Sequence, residues 1–300
     1  MSIDDGISVL PKHLRVLCGH DVDRHRIKEI RMRANDPLII ETLDEEKVFD
    51  YIVTPEDIKE TLAYISGYSV YAYENELKQG FITIQGGNRV GICGKTVCES
   101  EHVSTIKNIS SFNIRFANEI KGISDSVMPY LYKDNDVLCS TLIISPPGKG
   151  KTTLLRDIVR NLSNGCGGHR GINVGVVDER SEIGAMRQGI IQNDLGIRCD
   201  VLDGCPKKEG MYMLLRSMNP ALIAVDEIGT EDDVRAILYC QNCGCRLLAS
   251  IHGDGYWQIR QKKSLSKLFE EECFERFIVL DSRRPPGTIE GVYDKEGKIL

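Results

Sequence analysis

One tryptophan, no internal repeat and no apolar run of bilayer-spanning length define what this 300-residue chain does without. A membrane-crossing helix needs about 20 consecutive apolar residues, so no segment is expected to span a bilayer. Met1 opens no basic and apolar leader, and the chain is expected to stay in the cytosol. There is no excess of cations either: 38 Lys and Arg against 44 Asp and Glu give a net charge of -6, which excludes coating nucleic acid by bulk electrostatics. A channel for single strands would also need stacking aromatics, and these are scarce. Eleven cysteines are present, but they are odd in number and scattered, in runs such as those of Cys139 and Cys93 that read as core. Reduced, small apolar thiols are expected. Cys240, Cys243 and Cys245 form C-x-x-C-x-C without a second such pair, so a zinc site completed by Cys199, Cys205 or His252 is set aside in favour of free thiols.

What is there suits two domains, 1–120 and 121–300, and a hydrophobic content of 41% can fill a core in each. In the first, Lys28 to Glu41 alternates apolar and charged residues around Asn35-Asp36-Pro37, and Gly80 to Val97 does so around Gly86-Gly87-Asn88. Both read as β-hairpins. Between them, Thr54 to Gly67 opens on Thr54-Pro55-Glu56-Asp57 and carries Ile58, Leu62 and Ile65 at helical spacing. A small α+β domain without catalytic spacing follows. From about Ser124, apolar strands near Leu138–Ile144, Val174–Val177, Leu222–Val225, Arg246–Ser250 and Phe277–Leu280 alternate with helical segments, including Lys151–Leu162, Met211–Ser217 and Glu231–Tyr239. That is the pattern of a mostly parallel α/β sheet with crossover helices.

The stretch TLIISPPGKGKTTLLRD, Thr141 to Asp157, gives strand, Pro/Gly turn and helix in the order a triphosphate site needs. Unpaired N–H groups at a helix start attract anions, and glycines let the backbone approach them. Lys151 can place a charge on the β- and γ-phosphates of ATP, and the Thr152 hydroxyl can ligate Mg²⁺. Pro147, Gly148, Lys149, Gly150, Lys151, Thr152 and Thr153 are therefore the expected nucleotide contacts. The pattern G-x-x-x-x-G-K-[ST] asks for glycine where this chain has Ser145, a departure that concerns the first turn of the loop.

Two further strands end in acids. ALIAVDEIG, Ala221 to Gly229, places Asp226 where a carboxylate completes the Mg²⁺ shell and Glu227 where one polarises the attacking water. VGVVDERSE, Val174 to Glu182, delivers Asp178, Glu179 and Arg180 to the same sheet edge if the strands are near neighbours, making Glu179 a rival or partner of Glu227. RLLASIHG, Arg246 to Gly253, brings Ser250 and His252 to a third strand end, where a polar side chain can report hydrolysis. No [NT]-K-x-D element follows the Asp226 strand, which speaks against guanine selection, and nothing suggests the lid of a small-molecule kinase. Four cations in RQKKSLSK, Arg260 to Lys267, read as a solvated helix face.

These strand-end motifs resemble the boxes of the type II and type IV secretion ATPases, hexameric motors of the RecA-like class. More closely, EIRMRANDPLII, GGNRVGICGK, FNIRFANEIKG, IISPPGKGKTTLLRD, VVDERSEI, VDEIG and SIHGD together resemble the family of stage III sporulation protein AA, nearly end to end. The resemblance implies a RecA-like phosphate-loop NTPase domain after a small α+β domain. It also implies Mg-dependent ATP hydrolysis at a membrane-associated channel, with Thr152 and Asp226 on the metal, Lys151, Glu227 and Glu179 in catalysis, and His252 as sensor. Such motors complete each site with an arginine in trans. Arg89, Arg115, Arg283 and Arg284 are the candidates, Arg115 first because it is expected in the connection between the domains. A homo-hexamer when active, a membrane protein of the channel as partner, no stable nucleic acid, and a cytoplasmic location peripheral to the membrane complete the expectation. The alternative is a RecA-like ATPase acting on single-stranded nucleic acid.

Overall fold

In the computed structural model of the chain, which describes residues 3–20, 23, 26–67, 73–99, 102–116, 120–133 and 136–300, local pairing dominates the N-terminal part. Helices α1 (Ile3–Ser8) and α2 (Lys12–His20) precede strands β1 (Ile27–Arg33), β2 (Pro37–Thr42) and β3 (Glu46–Ile52). The β1–β2 turn runs through Asn35 at φ 68°, a left-handed value that asparagine tolerates better than most residues. Alternation sends Ile30, Met32, Leu38 and Ile40 into the core.

Helix α3 (Pro55–Ile65) starts on a reciprocal cap. Thr54 Oγ1 accepts from the Asp57 amide at 3.2 Å, and Asp57 Oδ2 accepts from the Thr54 amide at 2.8 Å. After α4 (Glu74–Gln79) come β4 (Phe81–Thr83), β5 (Arg89–Glu99) and β6 (His102–Arg115), closing an antiparallel sheet of order β3-β2-β1-β6-β5-β4. From Cys93 outward, β5 pairs with β6 alone, beyond the reach of β4. Cys93 is therefore exposed, contrary to the expectation that it joins the core, whereas Cys139 is buried as expected.

Arg115 requires a second correction. It is the last residue of β6, in register with Glu29 of β1 and Arg89 of β5, and so belongs to the ladder and not to a connection. The motif positions 117–119, at the expected domain boundary, lie outside the described residues.

The chain divides into two compact units, Met1–Asn118 with Ala185–Gln192, and Glu119–Gly184 with Asn193–Leu300. The excursion 185–192 joins the first unit, where Gln192 Oε1 accepts from the Gly86 amide at 3.1 Å.

The second unit opens with the short ribbon β7 (Tyr132–Lys133) and β8 (Val137–Leu138) and continues with β9 (Thr141–Ser145), α5 (Lys151–Asn164), β10 (Val174–Asp178), β11 (Cys199–Asp203), α6 (Lys207–Ser217), β12 (Leu222–Val225), α7 (Glu231–Asn242), β13 (Arg246–His252), α8 (Tyr256–Arg260), α9 (Ser266–Glu270), β14 (Arg276–Leu280) and β15 (Ile289–Asp294). Its sheet has the order β11-β10-β12-β13-β9-β14-β15, parallel except for β15. Strands β9, β10 and β12 are buried along their whole length, as a sheet covered by helices on both faces requires. The edge strands β11, CDVLD, and β15, IEGVYD, are half-exposed and carry no apolar run. That is why no strand is expected there from sequence. Among the described residues, no helix is long and apolar enough to cross a membrane.

Candidate active site

Strand β9 ends at Ser145, and a turn through Gly148 at φ 72° and Gly150 at φ 89° leads into α5. Both values are costly for a residue with a Cβ. Ser145 still belongs to the strand, buried and without a left-handed φ, its hydroxyl donating to the Pro146 carbonyl at 2.8 Å. Serine is accommodated there because the left-handed turns fall at the two glycines. The loop is braced from the β14–β15 connection: the Gly287 amide donates to the Lys149 carbonyl at 2.9 Å, and Lys149 Nζ donates to the Arg284 carbonyl at 3.0 Å. No side chain caps α5, whose first residues are Lys151, Thr152 and Thr153. Its leading N–H groups are available to an anion.

Lys151 is 5% exposed, and its Nζ lies 3.0 Å from Asp226 Oδ1 and 3.3 Å from Glu227 Oε1. The Thr152 hydroxyl donates to Asp226 Oδ2 at 2.6 Å. Ser250, fully buried on β13, donates to Asp226 Oδ1 and accepts from the Glu227 amide at 2.9 Å. This fastens Glu227 in a left-handed conformation, φ 54°, directly after β12. His252 Nε2 lies 3.0 Å from Glu227 Oε1, and its Nδ1 is 3.3 Å from the Ser145 carbonyl.

Burial pushes Asp226 up, but the Lys151 ammonium and hydrogen bonds from Ser250, Thr152 and Lys151 outweigh it and hold the carboxyl below the ordinary range. Glu227 is likewise raised by burial, then brought below its ordinary value by the charges of Lys151 and Arg180, with Asp226 opposing. Two carboxylates side by side are thus kept ionised by cations from other elements.

The second acidic strand end reaches the same place by a longer route than expected. Strand β10 is not a neighbour of β9; β12 and β13 lie between them. All four run parallel, however, so their carboxyl ends share one edge, and one cleft is lined by Asp178, Glu179, Arg180, Glu182, Lys207, Asp226 and Glu227. Arg180 Nη1 meets Glu227 Oε2 at 2.5 Å, while Glu179 pairs with Lys207 at the start of α6. Lys207 carries no sequence signal, being one lysine of a pair before a helix.

Asp178 stands at the buried wall of the cleft and is 2% exposed. Its carboxyl accepts from the amides of Glu182 at 2.8 Å, Ile183 at 2.9 Å and Gly184 at 2.8 Å, fastening the loop after β10. Burial pushes it up to about 6, against the pull of those donors and with the charge of Asp203 adding to the rise. A carboxyl raised above its ordinary 3.8 favours the folded state most when protonated, so its contribution is complete below that value and lost as pH rises through about 6. The stability advantage of wild type over Asp178→Asn is therefore expected to shrink by on the order of 2–3 kcal/mol between about pH 4 and pH 7. Urea unfolding at the two pH values checks this, and a growing advantage would mean that Asp178 is ionised throughout.

Of the arginines considered, Arg283 and Arg284 flank Asp281, with Nε at 4.0 and 3.4 Å from its carboxylate. Arg89 lies over the Phe81 ring at 3.5 Å, and Arg115 is exposed at the end of β6; both belong to the first unit, whereas the residues gathered above belong to the second. Cys240 and Cys245 are buried and Cys243 is exposed, all three as free thiols. A larger cavity, about 410 Å³, is lined by Asp125, Met128, Pro129, Tyr132, Cys166, Gly167 and His169, and none of the residues above reaches it.

A central phosphate-loop-like turn, a mostly parallel sheet and polar residues gathered at its carboxyl edge define a RecA-like α/β fold. The ATPase DotB of Legionella pneumophila shares it, at a TM-score of 0.56 and 15% identity over 84% of this chain and 72% of that one. So does the pilus retraction motor PilT solved with bound ADP, at a TM-score of 0.55 and 12% identity over 84% of this chain and 74% of that one. The chain belongs to the family of sporulation stage III, protein AA, whose model matches residues 4–300. It is 42% identical over 274 residues to stage III sporulation protein AA of Bacillus subtilis (strain 168), covering 91% of this chain and 89% of that one.

Proposed function

We propose that this protein hydrolyses ATP with Mg²⁺ and passes the resulting conformational change to a membrane-associated assembly during sporulation. The observation that carries the reading is the convergence of Lys151 and Thr152 on Asp226, from two elements separated in the chain, at 3.0 and 2.6 Å. The Thr152 hydroxyl and the Asp226 carboxylate offer hard oxygens there. Among the described residues no group of three or more His, Cys, Asp or Glu could cage a metal. That set fits Mg²⁺, which takes one or two protein oxygens and completes its shell with phosphate and water. When bound, the ion neutralises charge on the β- and γ-phosphates.

The chain's own residues supply the rest. The N–H groups from Gly148 to Thr153 and the Lys151 ammonium bind and orient the phosphates. Glu227, with Glu179 across the cleft, accepts the proton of the attacking water. His252, touching both the Glu227 carboxylate and the end of β9, couples phosphate release to the strand that carries the loop. An arginine from a neighbouring copy, with Arg115, Arg89, Arg283 and Arg284 as candidates, stabilises the transition-state charge in a homo-hexamer. The family and the fold shared with DotB and PilT support a motor docked at the membrane through a channel protein.

The test is phosphate release from ATP by the full chain. Release is expected to be Mg²⁺-dependent, abolished by chelation with EDTA, and indifferent to added single-stranded DNA. Steep stimulation by single strands that fades with salt would replace the secretion-type reading with the nucleic-acid one.

A further inference from the structure

Most of the contacts on Glu227 belong to the machinery already described; the one from Arg180 does not. It comes from the β10 loop, reaches Glu227 Oε2 at 2.5 Å, and leaves Oε1 to Lys151 and His252. An exposed ion pair is ordinarily worth little, because two long side chains wander. Here the backbone carrying the arginine is fixed on both sides. Behind it, Asp178 accepts three amides of the loop, and the Arg156 guanidinium donates to the carbonyls of Ile183 at 3.1 Å and Glu182 at 2.8 Å. Beside it, Ser181 adopts φ 53° with its hydroxyl donating to Asp203 at 2.7 Å, and Glu179 is held by Lys207. A loop fastened at this many points delivers one guanidinium to one carboxylate oxygen.

We infer that Arg180 is a positioning residue for Glu227, fixing one carboxylate oxygen so that the other faces the reacting groups. The inference rests on the reading of the site as an ATPase centre and adds a residue to it. A carboxylate directly after β12, on left-handed backbone, has rotamers that turn outward to solvent; the Arg180 contact selects the inward one. The charged groups facing Glu227 are Lys151 from α5, Arg180 from the β10 loop and His252 from β13, with Asp226 beside it.

The test uses the full chain and the variants Arg180→Ala, Arg180→Lys and Glu227→Gln. The Glu227 carboxyl carbon is followed by NMR at one neutral pH in protein with ¹³C-labelled glutamate, its signal assigned by its loss in Glu227→Gln. Arg180→Ala is expected to shift that signal and to lower kcat for phosphate release by about 10- to 100-fold, with KM for ATP within about twofold of wild type. Arg180→Lys keeps the cation and recovers part of both. Adding Arg180→Ala to Glu227→Gln costs nothing further. An unmoved Glu227 signal would overturn the proposal, as would an equal loss in the Glu227→Gln background, or a raised KM at unchanged kcat, which would place Arg180 on the nucleotide. Absence of phosphate release from wild type would instead sink the ATPase reading, and the carboxyl signal would still report whether Arg180 governs Glu227.

Discussion

Lys151→Ala is expected to abolish measurable turnover and to unsettle the fold that supports it. The ammonium is 5% exposed and is shared by Asp226 and Glu227, so truncation removes the cation between two carboxylates at the sheet edge. Losing one partner of a buried ion pair costs about 3–5 kcal/mol, because the remaining charge is left without compensation. Asp226 answers by taking up a proton more readily, since burial then meets less opposition. On the chemical side, one preorganised cation aimed at developing phosphate charge is worth about 10²–10³ in rate. Nucleotide titration, phosphate release and urea unfolding on one preparation separate the two effects. Turnover within a few-fold of wild type would remove Lys151 from the site altogether.

Glu227→Gln should behave differently: nucleotide bound, little phosphate released. Glutamine keeps the shape and one acceptor for Lys151 and His252, and the backbone amide still donates to Ser250. The charge and the acceptor for Arg180 are lost, and with the charge the capacity to take a proton from water. A positioned base is worth about 10²–10⁴ in rate, so kcat is expected to fall by that factor with KM little changed. Glu179→Gln, measured alongside, divides the labour. Glu179 is held by one lysine, whereas Glu227 is held by Lys151, Arg180 and His252. If Glu179→Gln removes the chemistry and Glu227→Gln leaves most of it, Glu179 is the base and Glu227 a structural acid.

Much of this arrangement is legible in the sequence. The β9–α5 turn announced itself through glycines and a lysine-threonine pair, and β12 through an apolar run closed by two acids. The Thr54 cap and both hairpin turns fell where Asn, Pro and Gly stand in sequence. Arg115 and Cys93 depart from expectation for one reason. Local pattern says that a residue lies in an extended stretch, but not where the partner strands stop; β6 keeps its neighbours through Arg115, and β5 outruns β4 and pairs only with β6 past Ile92. Strands β11 and β15 went unseen because edge strands bury too little to need an apolar run.

By itself, then, the sequence determined the pieces: which stretches turn, which stretches bury, and which acids stand at strand ends. Those are short-range matters of backbone sterics and of apolar periodicity. The tertiary structure alone decided the strand order, and with it that Lys151, Arg180 and His252, from three separate elements, close on a single Glu227. Parallel strands pair through crossovers that no local pattern encodes, so the company each carboxylate keeps is settled only when the sheet is assembled.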